Sequence, residues 1–272
     1  MVRGNENSML GQRAMDEELS YPDEFADRLE LIWGAGFLSP GGADEVRQIL
    51  RGIDLRAKTV LEIGCGIGGP AIVMAGEHHA DKVVGIDIEP QLIDRAGRNA
   101  EAAGLQDRVE FQLVEPGDLP FEDSSYDVVF SKDAIVHIED KLALYREVLR
   151  VLKPGGRFVA GDWFASPDAG ELPEFRRYRD LSHLTFAMQT AEQAGAAMRE
   201  AGFTDISLDD RNAWYADFAL NQIERIEGPL RDRLLEACGA EDYERMLKVS
   251  YANAGAAACG GLRPTHIRAL KP

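Results

Sequence analysis

Apolar and polar positions along this chain follow two periods, and the switches between them mark its elements. From Asp23 to Trp33 the apolar residues Phe25, Ala26, Leu29, Ile32 and Trp33 recur three and four apart, which predicts an amphipathic helix. Ser39 and Pro40 predict the start of a second helix, with Ser39 as N-cap, proline in the first turn, and Val46, Ile49 and Leu50 on one face. Short apolar runs follow at 59–63, 82–87 and 109–114, separated by helical stretches, and this alternation continues from about 58 to 162. Alternating strand and helix predicts an α/β fold, a doubly wound, mostly parallel sheet with right-handed crossovers. After residue 162 the pattern changes. Residues 166–200 read as two helices, the first rich in Arg and Tyr and the second in Ala. A strand at 204–208, a helical stretch at about 212–258 and a last, antiparallel strand at 263–270 complete the chain.

Composition adds constraints rather than identity. The 272 residues carry 45% hydrophobic and 28% charged positions, values of a globular chain able to bury a substantial core. The first 16 residues are polar and lack the apolar stretch of a signal peptide, and no apolar run reaches the ~20 residues that span a bilayer. A cytoplasmic location without membrane contact is therefore expected. Cys65, Cys238 and Cys259 show no framework spacing, as in a reducing compartment. The net charge of −17 repels a phosphate backbone, and no Lys/Arg run interrupts it, which argues against a nucleic-acid partner. It does not define a substrate.

The chemistry concentrates where the first predicted strand ends, in Leu61-Glu62-Ile63-Gly64-Cys65-Gly66-Ile67-Gly68-Gly69. Glycines at such a corner let backbone come within contact distance of a bulky ligand, because no Cβ intervenes. A second strand ends on Asp87, 21 positions after Gly66, where a carboxylate can accept ribose hydroxyls. Strand, glycine turn, helix, strand and acid make half of a site for an adenosine-containing cofactor. Gly64, Gly66 and Gly69 also satisfy the dinucleotide pattern, so a nicotinamide enzyme is one reading, although no Tyr-x-x-x-Lys pattern supports hydride transfer. Glu62 ahead of the turn can reach toward a cationic amino-acid end, and Glu115 with Pro116, after the third strand, can take an adenine amino group. Leu152-Lys153-Pro154-Gly155-Gly156-Arg157-Phe158 then ends a helix and enters a further strand.

Taken together, these motifs resemble the class I S-adenosylmethionine-dependent methyltransferases over residues 58–162. The resemblance implies a Rossmann-like core and S-adenosyl-L-methionine as cofactor, leaving S-adenosyl-L-homocysteine. It divides the chain into a flexible N-terminus (1–16), an N-terminal helical cap (17–56), a cofactor-binding core (57–165), a lid insertion with a core helix (166–203), and the last two strands with a helical insertion at 212–258 (204–272). Within that class, Ile32-Trp33-Gly34-Ala35-Gly36-Phe37-Leu38-Ser39-Pro40-Gly41-Gly42 and Ser131-Lys132-Asp133-Ala134-Ile135-Val136-His137 resemble the phosphoethanolamine (phosphobase) N-methyltransferases. The resemblance implies a catalytic pair of Tyr21 and His137, with Asp133 contacting the amine. It also places Leu38 and Ser39 over the cofactor, with Ile88 and Ser131 beside it. Tyr178 keeps a substrate tyrosine, and Lys248 matches a phosphate-contacting lysine. The family's phosphate grip is broken, since Ser182 and Leu184 replace an arginine and a tyrosine and Trp163 replaces another tyrosine. Arg176, Arg177 and Arg179 stand nearby.

The residues support the same chemistry on their own terms. Methyl transfer from a sulfonium is an in-line displacement in which positioning supplies most of the rate. An amine acceptor must lose a proton, and His137 suits that task, with Tyr21 as relay and Asp133 as N–H acceptor. Trp163, Tyr178, Trp214 and Tyr215 can offer aromatic faces to an ammonium group. An amino-alcohol, phosphobase or betaine-type amine is the expected acceptor. O- or C-methylation in specialised metabolism stays open, because His137 suits a phenol or enol equally, and so does a non-catalytic cofactor-binding protein. His78 and His79, adjacent and therefore pointing apart on a helix, read as helix-end surface residues, and no metal site is expected.

Overall fold

The computed structural model describes residues 22–182 and 186–272. Seven strands form one sheet in the order β3-β2-β1-β4-β5-β7-β6: β1 Thr59–Ile63, β2 Lys82–Asp87, β3 Val109–Leu113, β4 Tyr126–Lys132, β5 Leu152–Ala165, β6 Thr204–Asp210 and β7 Leu262–Leu270. β1 to β5 pair in parallel, whereas β7 runs antiparallel to both β5 and β6. Strand order reverses between β2 and β4 on either side of β1, so the loop after β1 opens at the switch point where such sheets bind ligands.

Side-chain alternation along the strands sorts the core into two layers. Leu61, Val84, Val129 and Phe158 face Tyr145 and Val148 of α5 (Lys141–Val151) and Met198 of α7 (Ala191–Ala201). Their neighbours Val60, Val83, Val128 and Val159 face Val46 and Ile49 of α2 (Gly42–Ile49) and Met74 of α3 (Gly69–Gly76). Burial of each large apolar side chain contributes about 1.5–3 kcal/mol, so these layers dominate stability. α4 (Pro90–Ala102) covers β2 and β3. Thr190 caps α7 through a reciprocal capping box with Gln193.

Outside the core, α1 (Asp23–Trp33) follows the periodicity residue for residue. α2 does not start where the sequence suggests. It begins at Gly42 behind a left-handed Gly41, without a side-chain cap. Ser39 fails to cap because its hydroxyl accepts instead from Lys132 Nζ, at 2.5 Å. α6 (Pro173–Leu181) lies over the C-terminal edge of the sheet beside two further helices, α8 (Asn212–Glu227) and α9 (Arg231–Ala258). The single helical stretch expected at 212–258 is thus divided, and α9 is itself interrupted at Gly239, where φ is 74° and ψ 173°. β5 begins at Leu152, so the Lys153-Pro154-Gly155-Gly156 turn lies within the span of the strand. No helix among the described residues is long and apolar enough to cross a membrane.

Candidate active site

The turn after β1 is built by positive φ at Gly64 (71°), Gly66 (52°) and Gly68 (86°). A Cβ on Gly64 would come within 2.2 Å of the Ala134 Cβ, so glycine is needed there for space as well as backbone conformation. Gly66 donates its N–H to Asp87 Oδ2 at 2.9 Å, while Asp87 Oδ1 accepts from the Ile88 and Glu89 amides. The acid that ends β2 therefore locks the turn that follows β1. An ionised carboxylate has about four acceptor positions, so these three bonds leave room for a ribose hydroxyl.

The segment before α2 forms a roof on this turn. Gly36 O accepts from the Gly69 amide at 3.0 Å, and Leu38 Cδ1 lies 3.2 Å from where a Gly66 Cβ would stand. Glu30 of α1 anchors the roof by accepting from the Gly36 amide and from Arg95 of α4. Ile88 and Leu113 remain 45% and 52% exposed at the ends of β2 and β3, an apolar flank suited to a flat ring. Glu115 and Pro116 are exposed just beyond.

Glu62 is completely buried under the turn, and neither carboxylate oxygen has a well-formed hydrogen bond. Burial, reinforced by the charge of Asp87, pushes its pKa well above the usual carboxylate range, with the Ala71 amide opposing. Asp87 is also raised, by burial, against its backbone hydrogen bonds. Two carboxyls whose ionised forms are penalised by desolvation suit a ligand that brings a positive charge. Ser131, fully buried at the end of β4, donates to Ile63 O and ties β4 to the mouth of β1. Buried Cys65 is small enough for its place, and burial pushes its thiol pKa up, away from nucleophilic use.

The second half of the site lies at the ends of β4 and β5. Asp133 has φ 56°, a left-handed conformation rare outside glycine, and its amide donates to Gly161 O at 2.8 Å. Lys132, buried at the end of β4, donates to Ser39 Oγ, to Pro40 O at 2.9 Å and to Asp133 Oδ2 at 2.6 Å. This lysine joins the roof of the cofactor turn to the candidate acceptor acid. His137 ends a single 3₁₀ turn, Ile135–His137. That turn is held from three sides: Asp162 accepts the Val136 amide, Val136 O accepts from Ala187, and Lys141 Nζ donates to Ile135 O and Ile138 O. Burial, with the charge of Asp133 added, pushes Asp162 up to about 7.

Aromatic rings close the acceptor side. Trp163 meets Tyr215 edge-on at 4.8 Å, and Trp214 lies 6.0 Å from Tyr215. Tyr215 donates to Asn253 Oδ1 at 2.8 Å, and Tyr178 hydrogen-bonds the same side chain. Burial pushes the Tyr178 phenol up to about 12 and raises that of Tyr215 well above its usual range, with the charge of Asp133 contributing to both. Both phenols therefore stay protonated near neutral pH and serve as donors and ring faces. The cleft between Lys132, Asp133, Asp162, Trp163, Trp214 and Tyr215 is narrow, about 20 Å³ of free space. That is little more than one water needs.

The structure thus gathers Leu38, Ser39, Glu62, Gly64, Gly66, Asp87 and Ser131 around the turn, and Asp133, Trp163, Trp214 and Tyr215 around the candidate acceptor cleft, whereas Tyr178 lines a separate space and His137 is not among the residues lining the cleft. Lys248 stands apart, exposed on an outer groove with Arg176 and Arg177, which shares no lining residue with the cleft. Tyr21 lies outside the described residues. His78 and His79 follow the end of α3, and no cluster of metal-ligating side chains occurs among the described residues.

Several site residues escape a reading of the sequence. Lys132 looks like a strand end, Asn253 is one polar position in an alanine-rich helix, and Asp162 reads as a strand boundary. Glu45 and His266, 221 positions apart, form a buried pair at 2.6 Å on the floor of the cleft. Burial raises the Glu45 carboxyl, but His266 and Arg211 outweigh it and hold the pKa below its usual value.

Known proteins are similar to this chain in sequence and fold. Residues 54–207 match a family model described as a methyltransferase domain. Phosphoethanolamine N-methyltransferase 1 of Arabidopsis thaliana is 32% identical over 88% of this chain and 48% of its own length. The 27-O-demethylrifamycin SV methyltransferase of Amycolatopsis mediterranei is 33% identical over 82% of this chain and 86% of its own. Among solved structures, Haemonchus contortus phosphoethanolamine N-methyltransferase 2, in complex with phosphomonomethylethanolamine and S-adenosylhomocysteine, superposes with a TM-score of 0.84 at 26% identity. That match covers 96% of this chain and 60% of the other. The chain spans about half the length of the curated phosphoethanolamine N-methyltransferases it matches. With the family model covering more than half of the sequence, the chain belongs to the methyltransferase-domain family, whose S-adenosylmethionine-dependent fold it shares.

Proposed function

We propose that this chain is an S-adenosylmethionine-dependent methyltransferase that methylates the nitrogen of a small amine. The observation that carries the reading is Asp133, an acid held in a left-handed backbone in one cleft with Trp163, Trp214 and Tyr215. A carboxylate among ring faces favours a cation over a neutral phenol or carbon acid.

The cofactor supplies an electrophilic methyl group on a sulfonium. Its adenosine end fits the glycine turn, Asp87 and the apolar flank of Ile88 and Leu113, with Glu115 as the candidate adenine contact. Its cationic end fits the buried, under-bonded Glu62. Asp133 accepts an N–H of the acceptor and orients the lone pair. His137, on a turn pinned by Asp162, Lys141 and Ala187, takes the proton that the acceptor must lose, and imidazole suits this near neutral pH. Tyr21 is the candidate partner in that proton transfer. Methylation of an oxygen or carbon is the second reading, and the match to the 27-O-demethylrifamycin SV methyltransferase, over 82% of this chain and 86% of the other, favours oxygen.

The test is mass spectrometry of the protein incubated with S-adenosylmethionine and a panel of phosphobases, ethanolamines, glycine derivatives, phenols and enols. A methyl mass gain on an aliphatic amine, lost in His137→Ala while cofactor binding persists, is expected. Gain confined to phenols or carbon acids would overturn the nitrogen reading and leave the cofactor site standing.

A further inference from the structure

We propose that the apolar chamber beneath α6 is a second subsite for the acceptor, so that the acceptor is an amine carrying an apolar chain or ring. This rests on the amine reading above. The chamber measures about 220 Å³, and Ala165, Ala169, Phe175, Tyr178, Phe186 and Met188 supply its apolar walls. The chamber opens to solvent past exposed Gly170 and Arg179, and an apolar cavity of ~150 Å³ is enough to hold benzene. A space this large beside a reaction centre is better explained by a ligand than by loose packing.

The polar groups of the lining are engaged elsewhere. Gln189 donates to Tyr145 Oη at 2.7 Å, Ser166 donates to Asp168 at 2.7 Å, and Thr190 caps α7. Arg179 is exposed at the rim. What the walls present inward is therefore hydrocarbon and aromatic surface.

Position links the chamber to the chemistry. Tyr178 lines the chamber, stacks on Phe186 at 6.3 Å and hydrogen-bonds Asn253, the side chain that also accepts from Tyr215 of the cleft. Phe186 lies 5.6 Å from the His137 ring. The cleft and the chamber share no lining residue, and Tyr178, Asn253 and Tyr215 connect them. The cleft has room for little beyond the reacting group, so the chamber is the adjoining apolar volume for the rest of the acceptor.

The test uses the intact protein with S-adenosylmethionine and a series of N-methyl-n-alkylamines from ethyl to decyl. kcat/KM is read for each, and binding is read by calorimetry with S-adenosylhomocysteine present. Specificity is expected to rise about fourfold per methylene until the chamber is full. Met188→Trp should move the optimum to shorter chains and Met188→Ala to longer ones, with folding checked by circular dichroism. Turnover or affinity independent of chain length would overturn the chamber while leaving the nitrogen reading intact. Methylation of alkylphenols alone, with the same length dependence, would keep the chamber and remove the nitrogen. Absence of binding at every length would also overturn the chamber.

Discussion

The two halves of this site are made differently. The cofactor half is mostly backbone: three left-handed glycines, an acid hydrogen-bonded to main-chain amides, and a roof held by a glycine carbonyl. The proposed acceptor half is mostly side chain, drawn from β4, β5, α6, α8 and α9, and its partners lie far apart in sequence. Tyr215 meets Asn253 across 38 positions, and Lys132 meets Ser39 across 93. Backbone geometry tolerates almost no substitution and so fixes a common cofactor. Side-chain walls can be exchanged one at a time, which lets one scaffold serve many acceptors.

That contrast can be broken experimentally. Gly64→Ala attacks backbone geometry, placing a methyl 2.2 Å from Ala134 Cβ at a φ of 71°. Cofactor binding measured by calorimetry should be lost altogether, with turnover gone. Retained affinity would show that the turn can yield and that the contrast is overstated. Asp133→Asn attacks the side-chain half, and kcat should fall about a hundredfold with cofactor affinity unchanged. A matching loss of cofactor affinity would mean that the halves are not separable.

Lys132→Met tests their junction. Removing one member of a buried ion pair costs about 3–5 kcal/mol, and this lysine also holds the roof, so urea unfolding should show destabilisation together with weaker cofactor binding. A loss of stability alone would restrict Lys132 to the acceptor side.

Asp162→Asn gives the smallest effect. The folded-state pKa of Asp162 is raised from 3.8 to about 7, so the protonated carboxyl is the form the fold prefers. Its stabilising contribution is complete below about pH 4 and is lost as pH rises through about 7. Unfolding free energies across that window should slope downward in the parent and more gently in the variant. Parallel slopes would show that Asp162 does not titrate as the buried support of the His137 turn.

The same contrast explains what could be read from the sequence. The strand, the glycine turn and Asp87 were legible because their chemistry depends on spacing within one βαβ unit. Likewise α1 was legible from its period. Ser39 was misread as a cap, since nothing local reveals that a lysine 93 positions away will claim its hydroxyl. The pairing of Glu45 with His266 requires β7 to insert between β5 and β6, a fact of topology rather than pattern. Asp133 and His137 were singled out through family resemblance, while the backbone conformation of Asp133, left-handed and bonded to Gly161, is visible only in three dimensions.

The left-handed backbone at Asp133 also has a consequence for how such an enzyme diversifies. Asparagine, aspartate and glycine are the residues that occupy that conformation readily, so few mutational steps are open at the proposed N–H acceptor. Selection for a new acceptor, in nature or in the laboratory, is channelled toward Trp163, Tyr178, Phe186 and Met188. A library that fixes residue 133 and randomises those four would search the productive part of sequence space.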